Sequence, residues 1–234
     1  MKILAIGAHP DDLESFCGGT LTRYADEGHE VVMCTATNGA MGVSPDADPV
    51  EAGKLRLKEC EEAAAIIGAK AATIGFTGPH ILREDDPQLR TINLIRREAP
   101  QVVITHASND YHVNHRETAT LVADAIYSCR SVGIRTEAPL LNELPALYLM
   151  DNVAAIGFSP TDYVDITDQM EVKLQMLQVH ASQTQRMNSQ EGVDLTDLCR
   201  TQSRLRGIQC GVRYAEAFIR ADRWHLNKPA RFLP

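Results

Sequence analysis

The stretch Ile6-Gly7-Ala8-His9-Pro10-Asp11-Asp12-Leu13-Glu14 closes the first apolar run of the chain, Lys2 to Gly7. Ile3-Leu4-Ala5-Ile6 reads as a buried strand. It delivers one imidazole and three carboxylates into what reads as a loop, ahead of a glycine pair, Gly18-Gly19, and a helix. Three acids and a histidine set so close repel one another. A bound cation, proton chemistry or a well-solvated surface turn would each account for the crowding. Pro10 pushes His9 towards an extended backbone and bends the chain after it. The bend lets His9 and Asp12 aim at one point while Asp11 approaches from another side.

Outward from this stretch, apolar runs alternate with helical patterns, the signature of repeated β-α units and a mostly parallel sheet. Thr20 to Glu27 reads as a helix with Gly28 as its stop, and Glu30 to Ala36 as a central strand apolar on both faces. After a loop from Thr37 to Pro49, Asp48 and Pro49 supply an N-cap and first-turn pair for a helix over 49–67. A strand near 71–75, a helix opened by Asp86-Pro87 and a strand at Val102-Val103-Ile104-Thr105 follow. A polar loop, His106 to Val113, leads into a helix over about 115–130. Leu147–Met150, Tyr163–Ile166 and Tyr214–Arg220 read as strands, with helices near 168–180 and 195–208 and a polar segment running through Gly192. No repeat or composition break marks a linker, so one domain over 1–234 is expected.

The bulk numbers exclude some classes. A formal charge of -8 with no basic stripe argues against a nucleic-acid partner. The six cysteines, at 17, 34, 60, 129, 199 and 210, form no CxxC pair and read as reduced core residues. No run approaches the roughly 18 apolar residues of a membrane span, and no basic leader with an apolar core is seen, so a cytoplasmic protein is expected. The first turn lacks GxGxxG and its acids would repel a pyrophosphate. Neither a P-loop nor a Gly-x-Ser-x-Gly elbow is present.

In an open parallel sheet, sites form outside the carboxyl ends of the strands, near the point where strand order reverses. Two polar clusters fall at such ends: His9, Asp11, Asp12 and Glu14 after the first strand, and His106, Asp110, His112 and His115 after the fourth. His9 and Asp12 with either His112 or His115 would give two imidazoles and a carboxylate, with a coordination position left for water. Catalytic zinc is held in this way, and water bound there has its pKa lowered from about 15.7 to about 7. Asp11, left free, is placed to take a proton. Asn114 and Glu117 read as a capping pair that puts His115 in the first helical turn, where the helix dipole keeps its imidazole neutral. His29, His180 and His225 are set aside for want of acidic partners, while His80 and His106 stay undecided.

Ala8-His9-Pro10-Asp11-Asp12-Leu13-Glu14 resembles the AHPDDxE signature of the PIG-L/LmbE-like zinc-dependent deacetylases. Asp110-Tyr111-His112-Val113-Asn114-His115 matches in part a second signature that usually ends in HPDH. Thr37-Asn38-Gly39, Arg56, His180-Ala181-Ser182-Gln183 and Tyr214-Ala215-Glu216-Ala217-Phe218 match further positions, so the resemblance spans almost the whole chain. It implies a Rossmann-like α/β fold, a three-layer sandwich around a mostly parallel sheet. It also implies removal of the N-acetyl group from a small molecule containing N-acetylglucosamine, a sugar or glycoside. Carried over by position, His9, Asp12 and His115 hold Zn2+ (or another divalent metal such as Fe2+), Asp11 is the general base and His112 steadies the oxyanion or protonates the amine. Arg56 contacts substrate, and Glu14, Asp110 and Asn114 support the site. Relatives often form homo-oligomers, trimers or hexamers. Asn114 stands where aspartate is usual, so it supplies no charge to raise the pKa of His112, and a neutral, hydrogen-bond-donating His112 is expected. A metal-dependent hydratase or lyase acting on an unsaturated acid, and a non-catalytic metal-binding module, are the competing readings.

Overall fold

A computed structural model describes residues 1–42, 47–222 and 232–234; His225 and part of the Thr37–Pro49 loop, 43–46, lie outside the described residues. β1 (Lys2–Gly7) is flanked by β2 (Glu30–Thr37) and β4 (Val102–Thr105), both parallel to it, with β3 (Lys70–Phe76) beyond β2. β5 (Ala146–Met150) continues the parallel set from β4, while β7 (Ala215–Arg220) and β6 (Asp162–Asp165) close that side antiparallel. Among the described residues the sheet has seven strands in the order β3-β2-β1-β4-β5-β7-β6, so strand order reverses between β1 and β4. The expected mostly parallel α/β sheet is present.

Side chains alternate across β1. Ile3 and Ala5 pack with α1 (Asp12–Asp26), α2 (Pro49–Ile66), α5 (Met170–Val179) and α7 (Leu195–Cys210). Leu4 and Ile6 face α3 (Pro87–Glu98) and α4 (Val113–Ser128) on the other side. Helices on both faces of one sheet make the three layers. Strands buried on both sides need near-continuous apolar runs, which β1, β2 and β4 have. Asp48 caps α2 as expected, its Oδ1 accepting from the Val50 and Glu51 amides, with Pro49 in the first turn. The polar segment before Gly192 is helical: α6 (Ala181–Arg186) runs into a π turn at Met187–Glu191. All six cysteines are free, and four of them are buried.

One boundary differs from expectation in a way that matters for the site. The first helix begins at Asp12, not at Thr20, and Gly18-Gly19 lies inside it. Gly19 is there for close approach rather than to end a loop. A Cβ on Gly19 would stand 2.8 Å from three Ile166 side-chain carbons. The Gly19 and Thr20 amides donate to the Glu216 carboxylate at 2.9 and 2.7 Å, and Lys173 Nζ donates to the same carboxylate at 2.6 Å. A buried ion pair from α5 and β7 thus grips the middle of the helix whose first residues carry the acids.

Candidate active site

β1 and β4 end side by side, so the two polar clusters meet. The His9–Asp12 turn is tied by the His9 amide, which donates to Asp12 Oδ2 at 2.7 Å. Asp12 is the first residue of α1 and Asp11 its N-cap, at φ 100° and ψ -18°. That left-handed conformation turns the Asp11 side chain away from Asp12. Arg56 of α2 holds it there: Nη2 donates to Pro10 O at 2.8 Å and to Asp11 Oδ1 at 3.4 Å, and Nη1 to Gly39 O at 2.9 Å. Gly39 sits at φ 70°, and a Cβ on it would lie 2.7 Å from Arg56 Nη1, which accounts for the glycine in Thr37-Asn38-Gly39. Burial pushes the Asp11 carboxyl up to about 6, against the pull of the Arg56 guanidinium.

Asp12 sits among three imidazoles. His115 Nε2 is 3.3 Å from Oδ1, while His106 Nε2 and His9 Nδ1 are 3.1 and 3.4 Å from Oδ2. Burial works to raise its pKa, but the His115, His106 and His9 rings together hold it well below the usual carboxylate range. On the far side of His115, Nδ1 is 2.9 Å from Asp110 Oδ2, and Asp110 Oδ1 accepts the His112 amide at 2.8 Å. Burial alone would weaken its basicity, yet Asp12 and Asp110 on either side lift the His115 pKa to about 10.

The donor set fits a divalent cation. Asp110 takes the Nδ1 proton of His115, so Nε2 turns a lone pair towards a carboxylate oxygen. Two acceptors at 3.3 Å need a positive charge between them, a proton or a metal. Among the described residues, two groups have ligand atoms close enough to hold a metal ion: His9, His112, His115 and Asp12, His106, His115. Hydrogen bonds sort these candidates. His106 Nε2 already accepts the Ala8 amide at 2.9 Å, and burial drives its pKa down to about 4, so it fills space as a neutral ring stacked 3.9 Å from His115. His112 Nδ1 accepts the Asn114 amide at 3.2 Å, which leaves the ring proton on Nε2, a donor rather than a ligand. Burial, His9 and His115 lower the His112 pKa to about 4, so this ring is neutral near pH 7.

Several expectations need correction. His112, not Asn114, caps α4, and Glu117 faces His80 and the Leu82 amide instead of completing a capping pair. His115 falls in the first turn, as expected, but the Asp12 and Asp110 carboxylates outweigh burial and the helix dipole and raise its pKa to about 10 instead of leaving the ring neutral. Asn114 points back across the turn, its Nδ2 3.2 Å from His9 Nε2. Glu14 is no loop residue: it lies buried in α1, its Oε1 3.1 Å from Nε2 of His180, which is fully buried. Burial disfavours charge on His180, but Glu14 and then Asp11 raise its pKa. His180 therefore has the acidic neighbours the sequence reading denied it. The adjacent Ser182 is held by Glu59, whose carboxylate accepts from its amide and its hydroxyl. The signal was present in His180-Ala181-Ser182-Gln183, but a helix started at Thr20 hid which way Glu14 faces.

A cavity of 490 Å³ opens over these groups, floored by His9, Asp11 and His112 and walled by Met41, Tyr111 and Met187. This is the size of a small-molecule site.

Known proteins place the arrangement. The profile described as "PIG-L: GlcNAc-PI de-N-acetylase" matches residues 4–126. Diacetylchitobiose deacetylase of Thermococcus kodakarensis is 32% identical over 195 residues, covering 78% of this chain and 70% of its own. The solved N,N'-diacetylchitobiose deacetylase of Pyrococcus horikoshii, complexed with an inhibitor, superposes with a TM-score of 0.81 at 27% identity, over 93% of this chain and 82% of that one. A 4-carboxy-2-hydroxymuconate hydratase from Pseudomonas putida has the same TM-score, 0.81, over 98% of this chain and 99% of its own, but at 21% identity it shares the fold alone. With the first signature on the β1–α1 turn, the partial second one on the β4–α4 turn, and these relatives, the chain belongs to the PIG-L family of de-N-acetylases.

Proposed function

We infer that the protein removes the acetyl group from an N-acetylglucosamine-containing sugar or glycoside, with His9, Asp12 and His115 holding Zn2+. The observation that carries this is His115 Nε2 standing 3.3 Å from Asp12 Oδ1, a pairing that needs a positive charge between the two, beside Asp11, whose carboxylate is held by Arg56 from a backbone at φ 100°. A bound zinc supplies a Lewis acid that makes water a nucleophile near neutral pH and polarises an amide carbonyl. The chain's own groups do the rest. Asp11, oriented by Arg56, accepts the proton of the attacking water and returns it to the departing amine. His112 offers Nε2–H to the oxygen on which negative charge develops, and as a neutral ring it does so without giving up its proton. Nη1 and Nη2 of Arg56 are committed to Gly39, Pro10 and Asp11, so its part in substrate binding is chiefly to shape the cavity wall. Glu14 and Asp110 fix the rings behind this centre.

The hydratase reading is not favoured, because the relatives that match by sequence are amide-cleaving enzymes, deacetylases and an amidase, and the hydratase likeness is one of fold. A cytoplasmic homo-oligomer, trimer or hexamer, belongs to the same proposal on the strength of the family; among the described residues no helix is long and apolar enough to cross a membrane.

The test is release of acetate and primary amine from a panel of N-acetyl amino sugars and glycosides, before and after chelation. Turnover should vanish with the metal and return with zinc. Asp11→Asn should lower kcat by about 10²–10⁴ while keeping the metal. Full turnover by that variant would refute the base assignment, and a panel with no amine release would refute the reaction.

A further inference from the structure

Asn114 makes a contact that a capping role leaves unexplained. It is 7% exposed, its Nδ2 lies 3.2 Å from His9 Nε2, and its Oδ1 has no hydrogen-bond partner among the described residues. An orphaned buried carbonyl is unfavourable. The oxygen and nitrogen of a side-chain amide exchange places by a half-turn that leaves its shape unchanged, so the hydrogen bonds on offer decide the orientation.

His9 supplies the deciding donor. Its Nδ1 is the nitrogen beside Asp12, 3.4 Å from Oδ2. An imidazole that gives its Nδ1 lone pair to a cation keeps its proton on Nε2, and Nε2 points at Asn114. We propose that Asn114 is a positioning residue for the metal centre: its Oδ1 accepts the Nε2–H of His9 and locks the tautomer that presents Nδ1. The proposal rests on the metal site of the functional reading above. It gives the orphaned oxygen a partner and makes the two histidines a matched pair, each backed through its other nitrogen. The backing is unequal. His115 has the carboxylate of Asp110, which adds charge and raises ligand basicity, whereas His9 has a neutral amide that fixes geometry alone.

The test reads metal binding and ring protonation without substrate. Zinc affinity is measured by competition with a chromogenic chelator for the wild type, Asn114→Leu and Asn114→Asp. The ring-nitrogen NMR pattern of His9 is recorded on the zinc-loaded wild type. Asn114→Leu should bind zinc about 10- to 100-fold more weakly. Asn114→Asp, which still accepts from Nε2–H, should bind at least as tightly as the wild type. His9 of the loaded protein should carry its proton on Nε2. Unchanged affinity in Asn114→Leu, or a zinc-loaded His9 protonated on Nδ1, overturns the proposal. Should Asn114→Leu fail to fold by circular dichroism, the wild-type NMR pattern decides alone. Tight zinc binding with no acetate release would sink the deacetylase reading and leave this one standing; no zinc binding at all would sink both.

Discussion

Asp11 combines two unfavourable states that make sense only together. A non-glycine residue at φ 100° stores about 1–3 kcal/mol of strain, although aspartate visits this region more readily than most. Burial also holds its carboxyl up to about 6. Arg56 opposes both, anchoring the backbone at Pro10 O and lowering the pKa through its charge. A base works only when ionised, so activity should fall as pH drops through the Asp11 pKa. Loss of the guanidinium raises that pKa. Arg56→Met should therefore move the acid limb of the kcat/KM profile to higher pH, with Arg56→Lys moving it less; an acid limb unchanged in Arg56→Met would show that Arg56 does not set this carboxylate. The meeting of His9, Asp12 and His115 was legible because each lies in a short motif just after a strand, and the two strands are neighbours. His180 was not, since its partner Glu14 lies on another helix and no spacing rule links residues that meet only through packing.

At the scale of elements, the misread start of α1 has a simple cause. Glycines weaken helices by about 1 kcal/mol each, so a pair of them reads as a break. Here tertiary contact overrides propensity, because Ile166 leaves no room for a methyl group at position 19. Gly19→Ala should destabilise the protein by about 1–3 kcal/mol despite its better helix propensity. Ile166→Ala in the same chain should recover part of the loss, as read by chemical denaturation. A stabilised Gly19→Ala protein would mean that the contact is slack. The β4–α4 turn teaches a related lesson. Asn114 and Glu117 have the composition of a capping pair, but His112 already supplies the cap, which frees the asparagine for His9.

For the whole molecule, the sheet order was only half legible. Alternating apolar runs gave the parallel half, and the rule for strand ends located the site before any contact was known. The antiparallel return of β7 between β5 and β6 leaves no mark in periodicity, because an antiparallel strand and a parallel one bury the same residues. That return puts Glu216 against α1. With both Lys173 and Glu216 side chains about 2% exposed, removing one charge strands the other, so Lys173→Met should cost about 3–5 kcal/mol. The double variant Lys173→Met/Glu216→Gln should regain much of that stability. A single variant within about 0.5 kcal/mol of wild type, in urea or thermal melts, would contradict the pairing.

The grip of Glu216 on α1 also imposes an order on biosynthesis. His9, Asp12 and His115 have all left the ribosome long before β7 has been made, yet the helix that aims Asp12 lacks its clasp until Glu216 arrives. A nascent chain therefore holds all three proposed ligands without the frame that sets their spacing. On the proposed ligand set, final seating of a cation would be coupled to docking of β7, and full metal affinity would report that this strand has docked.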